Sequence, residues 1–518
     1  MPNIESELKL KITDPSCLPE LLKSQLLQSL AQQPGRKETL DTTYYDTRNH
    51  SLLNSRLSYR LRRHEENWTA TIKADGSSDG GLHQRTEFNA VVHDPQPNIE
   101  PFADTPIGPR LKELLAEEEL APIFGTRFDR YIFDLVAADG SEIELAIDDG
   151  EIVAGDSRQK LLELELKSGA SLALIRLGAE LAKHFPLLPE QHSKLYRAIQ
   201  LAGIDDGFPK DPPAPLPLHK ESAQAPVLST LSLQIIHQIH LVIAAQHAFL
   251  ADSADPETLH DLRISLRRLR VLLSFAKPLL PAEEITDWQT SLRQWSNSLG
   301  PVRDLDVLYE TWLMLNNHLP NHPDPISQAL TAAFTEKRTQ LVAEIYNSVS
   351  RGYSTPLLLG LWVWTAEWPD RYSEQNNASL LLFIVGRLNN WLKQFVEAGS
   401  KVDLSDETAV HQLRIQGKKI RYAMEVFAPI LPGRSANFTK RLKSLQDNLG
   451  LLRDTQSTIG QLNKLVKASS SRKLHNDSGL LLGWQLSHSL HAKAEFEEIW
   501  TKMKKSCRKW LAKHSDDS

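Results

Sequence analysis

The stretch Asp205–His219 reads DDGFPKDPPAPLPLH, and it constrains the fold more than any other part of the sequence. Five prolines and a glycine remove backbone donors and fix φ, so neither a helix interior nor a central strand can run through it. It predicts a stiff, extended linker and hence a chain of 518 residues built in two parts, 1–204 and 220–515. The parts differ in charge. Residues 1–210 hold 24 Lys+Arg and 34 Asp+Glu, a balance of −10, and residues 211–518 hold 35 and 31, a balance of +4, so the overall −6 describes neither. The two cysteines, Cys17 and Cys507, lie near opposite ends and supply neither a disulfide framework nor a metal site, which points to a reducing, cytoplasmic compartment. No apolar leader follows the first methionine, and the strongest apolar runs, Leu357–Trp364 and Leu380–Val385, fall short of the ~20 residues of a membrane span. No membrane is expected.

Ahead of the linker, short runs such as IESELKLKI, RLSYRLRR, WTATIKA, EIELAID and LLELELK alternate with turn signals such as DGSSDGG. A period of two predicts half-buried strands with a charged face opposite an apolar one. Glu5, Glu7 and Lys9 oppose Ile4, Leu8 and Leu10, and Glu163 and Glu165 oppose Leu162, Leu164 and Leu166. An ordinary sheet with one solvated side explains any one such strand. It does not explain why some strands offer only carboxylates (Glu142 and Glu144; Glu163 and Glu165) and others mainly cations (Arg60 and Arg62). Clustered carboxylates suit a hard divalent cation, Mg²⁺ or Mn²⁺, and clustered Arg and Lys suit phosphate oxygens. A barrel closed with these faces inward would be a tunnel with a metal wall and a phosphate wall.

The ordered set Glu5-Ser6-Glu7-Leu8-Lys9, Tyr44-Tyr45-Asp46-Thr47, Arg60-Leu61-Arg62, Thr71-Ile72-Lys73, Arg85-Thr86-Glu87, Glu142-Ile143-Glu144, Glu163-Leu164-Glu165 and Ser193-Lys194-Leu195-Tyr196-Arg197 resembles the CYTH domains, or triphosphate tunnel metalloenzymes. The resemblance implies an antiparallel β-barrel tunnel. Glu5, Glu7, Glu163 and Glu165 would hold the divalent metal, with Glu5, Glu7 and Lys9 serving catalysis. Arg60, Arg62, Lys73, Arg85, Lys194 and Arg197 would bind substrate phosphates, and Glu87 and Glu144 would complete the polar lining. Arg130 joins the phosphate set, with Arg127 competing for the role from the opposite strand face. The implied chemistry is metal-assisted hydrolysis of a triphosphate without a side-chain nucleophile. His83, just before the Arg85 strand, is expected to be peripheral, and Cys17 a small apolar residue.

Beyond the linker, stretches of 10–25 residues follow helical spacing, and an internal repeat emerges. LHDLRISLRRLRVLLSFA at Leu259–Ala276 matches VHQLRIQGKKIRYAMEVF at Val410–Phe427. His260, Arg263, Arg267 and Arg270 occupy the offsets of His411, Arg414, Lys418 and Arg421, one stripe of a helix in each copy. LGPVRDLDVL and LGLLRDTQST follow, placing Arg303 and Arg453 at matching points. One basic stripe is ordinarily a solvated face, but duplication with little interleaved acid favours a polyanion groove. Without interleaved aromatics to stack bases, the stripes argue against nucleic acid. The half resembles the CHAD domain, which implies two four-helix repeats, about 220–365 and 375–515, whose basic helices face one another and bind long-chain polyphosphate.

Together these readings lead to an expected inorganic triphosphatase that cleaves tripolyphosphate to pyrophosphate and phosphate, carrying a polyphosphate-binding helical part. The alternatives are a non-catalytic polyphosphate adaptor and an enzyme acting on thiamine triphosphate or ATP.

Overall fold

The computed structural model describes residues 3–64, 67–116, 118–204, 218–318, 328–374, 378–431, 435–466 and 471–514. Most of the Pro-rich stretch, 205–217, lies outside them. The described residues form two compact units, one drawn from Met1–Pro215 and Ser348–Trp364, the other from Leu216–Asn347 and Thr365–Ser518.

In the first unit the strands are β1 (Asn3–Ile12), β2 (Arg36–Asp46), β3 (Ser58–His64), β4 (Asn67–Asp79), β5 (Leu82–Val92), β6 (Ala121–Val136), β7 (Glu142–Ala154), β8 (Ser157–Lys167) and β9 (Leu187–Pro189). They are ordered β5-β4-β3-β2-β6-β7-β8-β1-β9, and β1 also pairs with β5. That last pairing, Asn3–Leu8 against Leu82–Glu87, closes β1 to β8 into an antiparallel barrel of eight strands. The helices are α1 (Leu18–Leu22), α2 (Gln25–Leu30), α3 (Ser51–Asn54), α4 (Gly108–Leu115), α5 (Ser171–His184) and α6 (Lys194–Leu201).

The alternation places the apolar side outward. Leu8, Leu10, Leu61, Ile72, Leu145, Leu164 and Leu166 are fully buried although they face away from the lumen, because helices cover them. α4 closes over β3 and β4 through Leu111 and Leu115, whereas Ala198 and Ile199 of α6 pack on Phe128, Ile152 and Leu161, which share the inward parity of Arg130, Asp148 and Glu163. α5 lies close on β1, where a Cβ at Gly178 would come within 2.6 Å of the Leu8 side chain. Each leucine buried in this way contributes roughly 1.5–3 kcal/mol, so most of the core surrounds the barrel, an inward apolar cluster packs on α6, and the rest of the lumen is left polar. Asp46, of the Tyr-Tyr-Asp-Thr segment, is structural: its buried carboxylate accepts from the backbone N–H groups of Thr47, Leu52 and Leu53 and so caps α3.

The second half continues with α7 (Val227–Ala251), α8 (Pro256–Ala276), α9 (Ala282–Ser298), α10 (Gly300–His318), α11 (Ala329–Ser350), α12 (Thr355–Ala366), α13 (Trp368–Arg371), α14 (Leu380–Lys401), α15 (Glu407–Val426), α16 (Ser435–Val466) and α17 (Arg472–Lys513). α14 to α17 form the expected four-helix repeat. In the first repeat two rods are broken. α16 runs unbroken through Leu449-Gly450-Leu451, but the matching stretch carries Pro301, whose missing N–H ends α9 at Ser298 and starts α10 at Gly300. The counterpart of α17 breaks between α11 and α12 at Gly352, which takes φ +70°. The repeats meet at equivalent points: Val227 N–H donates to the Ala378 carbonyl and Leu380 N–H to the Ala225 carbonyl, both at 3.1 Å.

α7 is long and apolar enough to cross a membrane, with a mean hydropathy of 1.5 in its most apolar window, 61% of which is buried within the protein. Interspersed polar residues hid this run from a search for unbroken apolar stretches. Among them Gln234, Gln238 and Gln246 are buried in the bundle.

Candidate active site and polyanion groove

The inward faces of β1 to β8 enclose a cavity of about 320 Å³. Of the residues expected there, Glu7, Lys9, Arg60, Arg62, Lys73, Arg85, Glu87, Arg130, Glu144, Glu165 and Lys194 line it. Glu163 is buried beside it within 3.3 Å of Lys194 Nζ, and Arg197 pairs outside the lining with Glu190 at 3.5 Å. The Glu5 side chain lies outside the described residues, but its backbone sits opposite Arg85. The choice between the two arginines is now visible. Arg127 is 69% exposed and pairs with Asp41 on the outer surface, whereas Arg130 is buried in the lining. His83, expected at the periphery, also lines the cavity and is 1% exposed.

Register explains how the walls assemble. Lys9 stands opposite Glu165, Lys11 opposite Glu163, and Glu163 opposite Asp148, so three strands bring their acids to one side. Lys9 Nζ lies 3.0 Å from Glu7 and 3.2 Å from Glu165. Arg130 makes a bidentate pair with Asp148 at 2.6 and 2.7 Å and reaches Glu165 at 3.0 Å. Lys194 Nζ touches Asp148 at 2.5 Å and Glu165 at 2.7 Å. Burial works to raise these carboxyls, but the lysines around Glu7, and Arg130 and Lys194 beside Asp148, outweigh it and hold both well below the usual carboxylate range. Glu163 goes the other way: burial raises it against Lys194 and Lys9, and neither of its oxygens accepts a hydrogen bond among the described residues.

The facing wall is cationic. Arg60 and Lys73 share Glu87 at 3.0 and 3.3 Å. Arg62 Nε donates to Thr42 Oγ1 at 3.3 Å, and burial, with Arg60 and Arg130 nearby, pulls its guanidinium down to about 9. A buried guanidinium among other cations is stabilised by an incoming phosphate.

Sequence reasoning missed Asp148 and Lys167, although both share the parity of residues already chosen, Asp148 with Glu144 and Lys167 with Glu165. It also assigned no role to Tyr44, which lines the cavity and whose phenol Arg60 and Arg62 hold below its usual range against the effect of burial. Ser193 caps α6 by accepting from Tyr196 N–H at 3.1 Å, which places Lys194 first in the helix, at the lumen.

For a divalent cation, the donor chemistry fits, because Glu163 presents a buried carboxylate with unaccommodated oxygens beside Glu7 and Glu165. As arranged, lysine ammoniums stand between these carboxylates, and among the described residues no three His, Cys, Asp or Glu side chains converge closely enough to hold an ion.

A second cavity, about 480 Å³, lies in the helical half between α8, α10, α15, α16 and α17. His260, Arg263, Arg267, Arg303, Arg414, Lys418 and Arg421 line it, so stripes from both repeats converge as expected. Arg270 and His411 are not in its lining, and the Arg453 side chain lies outside the described residues. Arg263 Nη1 is buried without a hydrogen-bond partner among the described residues; burial and then Arg267 draw this arginine down to about 10. Tyr422, next to Arg421 in sequence, was overlooked as an aromatic here. It lies beneath Arg421 and Arg267, with guanidinium carbons 4.5 and 5.9 Å from the ring centroid, and is 3% exposed, so its face is not open for stacking a base.

Residues 3–199 match the CYTH domain family and residues 234–463 the CHAD domain family. The N-terminal part is similar to an inorganic triphosphatase of Haemophilus influenzae, 39% identical over 137 residues; the match spans 25% of this chain and 36% of that protein. Among solved structures, HpAC1 from Hippeastrum, which has a dominant triphosphatase activity, aligns with 17% identity and a TM-score of 0.31 over 38% of this chain and 95% of its own. The CHAD domain of Ricinus communis aligns with 20% identity and a TM-score of 0.43 over 55% of this chain and 96% of its own. The chain therefore carries a CYTH domain at residues 3–199 and a CHAD domain at residues 234–463.

Proposed function

We propose that this chain is a cytoplasmic inorganic triphosphatase that hydrolyses tripolyphosphate to pyrophosphate and orthophosphate and holds long-chain polyphosphate in its helical half. The observation that carries the reading is the lumen itself, where half-buried Arg60, Arg62, Lys73 and Arg85 face a carboxylate wall. Its lining offers an organic leaving group little: Tyr44, His83 and Leu195 are the only ring-bearing or aliphatic side chains among the lining residues. That favours an inorganic substrate over thiamine triphosphate or ATP. The domains proposed are 1–204, a linker 205–219 and 220–515.

In this reading the arginines and Lys73 spread the charge of the pyrophosphate leaving group, while Lys9, Lys194 and Arg130 steady the terminal phosphoryl group as water attacks and the P–O bond breaks. Mg²⁺ or Mn²⁺ held by Glu5, Glu7, Glu163 and Glu165 would supply further neutralisation of the terminal phosphate. Arg263, Arg267, Arg414 and Lys418 would bind polyphosphate. Tethering the tunnel to that chain would raise the local concentration of substrate.

The test is phosphate release from tripolyphosphate, pyrophosphate, ATP and thiamine triphosphate, with and without Mg²⁺, by the native chain and by Glu7→Gln and Lys9→Ala. Metal-dependent cleavage of tripolyphosphate, lost in both variants, is expected. A native chain that turns over no triphosphate is a binder, not an enzyme. Reversing Arg263, Arg267, Arg414 and Lys418 to Glu should abolish retention on long-chain polyphosphate while sparing tripolyphosphate cleavage; unchanged retention would place the polyanion site elsewhere.

A further inference from the structure

Lys194 reaches the lumen from a turn, residues 190–193, that runs between β9 and α6. That turn is tied to the barrel wall at several points. Glu190 N–H donates to the Lys9 carbonyl at 2.9 Å, and Lys9 N–H donates to the Gly81 carbonyl at 2.9 Å. Ser78 Oγ donates to the Gln191 carbonyl at 3.1 Å. Gly81, at φ +91°, lets the β4–β5 hairpin approach, since a Cβ there would lie 3.1 Å from both the Lys9 carbonyl and the Pro189 side chain. His83 completes the set, with Nε2 2.9 Å from the Glu190 carbonyl oxygen.

A carbonyl can only accept, so Nε2 carries the proton and the tautomer is determined. Burial, and then the Lys9 ammonium, lower the imidazole to about 4, so the ring is neutral around pH 7. Nδ1 is buried with no hydrogen-bond partner among the described residues, which leaves the Nε2 bond as the one that orients the ring there. A leucine would fill similar space, but it would leave the Glu190 carbonyl without this donor.

We infer that His83 is a positioning residue for the hydrolysis: through its Nε2 hydrogen bond it holds the Glu190–Ser193 turn against the barrel wall and so sets where the Lys194 ammonium meets Glu165, Asp148 and the substrate. This rests on the triphosphatase reading for the reaction it serves. His83 touches neither the reacting phosphorus nor the leaving oxygen in this account. It acts through Lys194, and that makes the claim testable by coupling.

The experiment compares the native full-length chain with His83→Leu, His83→Gln, Lys194→Ala and the double variant His83→Leu/Lys194→Ala. Each is measured for kcat and KM on tripolyphosphate, for calorimetric affinity for tripolyphosphate without divalent metal, and for thermal midpoint. A glutamine amide nitrogen can reach the position of Nε2, so His83→Gln should stay within threefold of native. His83→Leu should lose tenfold or more in kcat at a thermal midpoint close to native, and the double variant should be no worse than Lys194→Ala alone. If His83→Leu does not fold, His83→Asn replaces it, because its amide is one methylene short of the carbonyl. Native-like kinetics in His83→Leu, equal loss in His83→Gln, or losses that multiply in the double variant would each overturn the inference. If the native chain turns over no triphosphate, the functional reading fails separately, and the same cycle in tripolyphosphate affinity still decides whether His83 acts through Lys194.

Discussion

Asp148→Asn isolates the most completely buried carboxylate of the lumen. Asp148 is 0% exposed and accepts two hydrogen bonds from Arg130 and one from Lys194. The asparagine is isosteric, but one of its oxygens becomes an NH₂ group that must face either a guanidinium or an ammonium, donor against donor. Breaking a buried ion pair by removing one partner costs about 3–5 kcal/mol. Glu165 remains within 3.0 Å of Arg130 and 2.7 Å of Lys194 and takes up part of the uncompensated charge, so the lower figure, about 3 kcal/mol, is expected. For a unit of roughly 200 residues that amounts to a fall of ~6–12 °C in the midpoint of the barrel transition. The transition is identified in a calorimetric scan as the one that tripolyphosphate raises. The carboxyl is depressed on folding, so its contribution is fully present above the ordinary aspartate range and fades as pH falls through the lower folded value. The gap between native and variant should therefore be constant from pH 6 to 8 and narrow below about pH 4. A variant as stable as the native chain at pH 7 would refute the reasoning, because it would mean that Arg130 and Lys194 are already neutralised without Asp148.

Three further outcomes follow from particular contacts. Arg130→Met should lower kcat/KM on tripolyphosphate by about 10²-fold, whereas Arg127→Met should leave it within twofold; steady-state kinetics on the two variants checks this. Lys419 lies 4.0 Å over the Trp391 ring and is lowered to about 8 by burial and by Arg387 and Lys277, so its charge is disfavoured in the folded state. Lys419→Met should raise the midpoint of the helical half at pH 7, with an advantage that shrinks as pH climbs from 8 toward 10; a gain independent of pH would point to packing instead. A fragment ending at residue 204 lacks Ser348–Trp364, which belongs to the barrel unit, and should melt lower and bind more apolar dye than the full chain, as parallel scans would show.

Much of the lumen was legible because a barrel with an inverted face obeys strict parity: once Glu163 and Lys9 were placed inward, their alternate neighbours followed. Asp148 escaped although its parity with Glu144 marks it as inward, because its strand reads AIDDG and the motif ends at Glu144, so neither of the two adjacent aspartates drew a role. Arg130 and Arg127 posed the same difficulty, and register to Asp148 resolved it. His83 shares the parity of Arg85 and Glu87, but its role could not be read, since its partner is a backbone carbonyl more than a hundred residues away. In the helical half the repeat was plain from its charged offsets. The broken rods of the first copy rest on single residues, Pro301 and Gly352, whose effect depends on the helix the rest of the segment would otherwise form.

Because the barrel unit takes in Ser348–Trp364, it is discontinuous along the chain. At ~5–20 residues per second of synthesis, roughly ten seconds or more separate the emergence of β9 from that of its last segment. During that interval the outer side of α5 and β9 waits without its final cover, for Leu359 is the side chain that comes to rest near Gly178 and Gly352 the backbone that meets the Leu187 carbonyl. The nascent barrel thus keeps an apolar side open until that segment arrives, and its maturation is timed by the translation of the segment that follows.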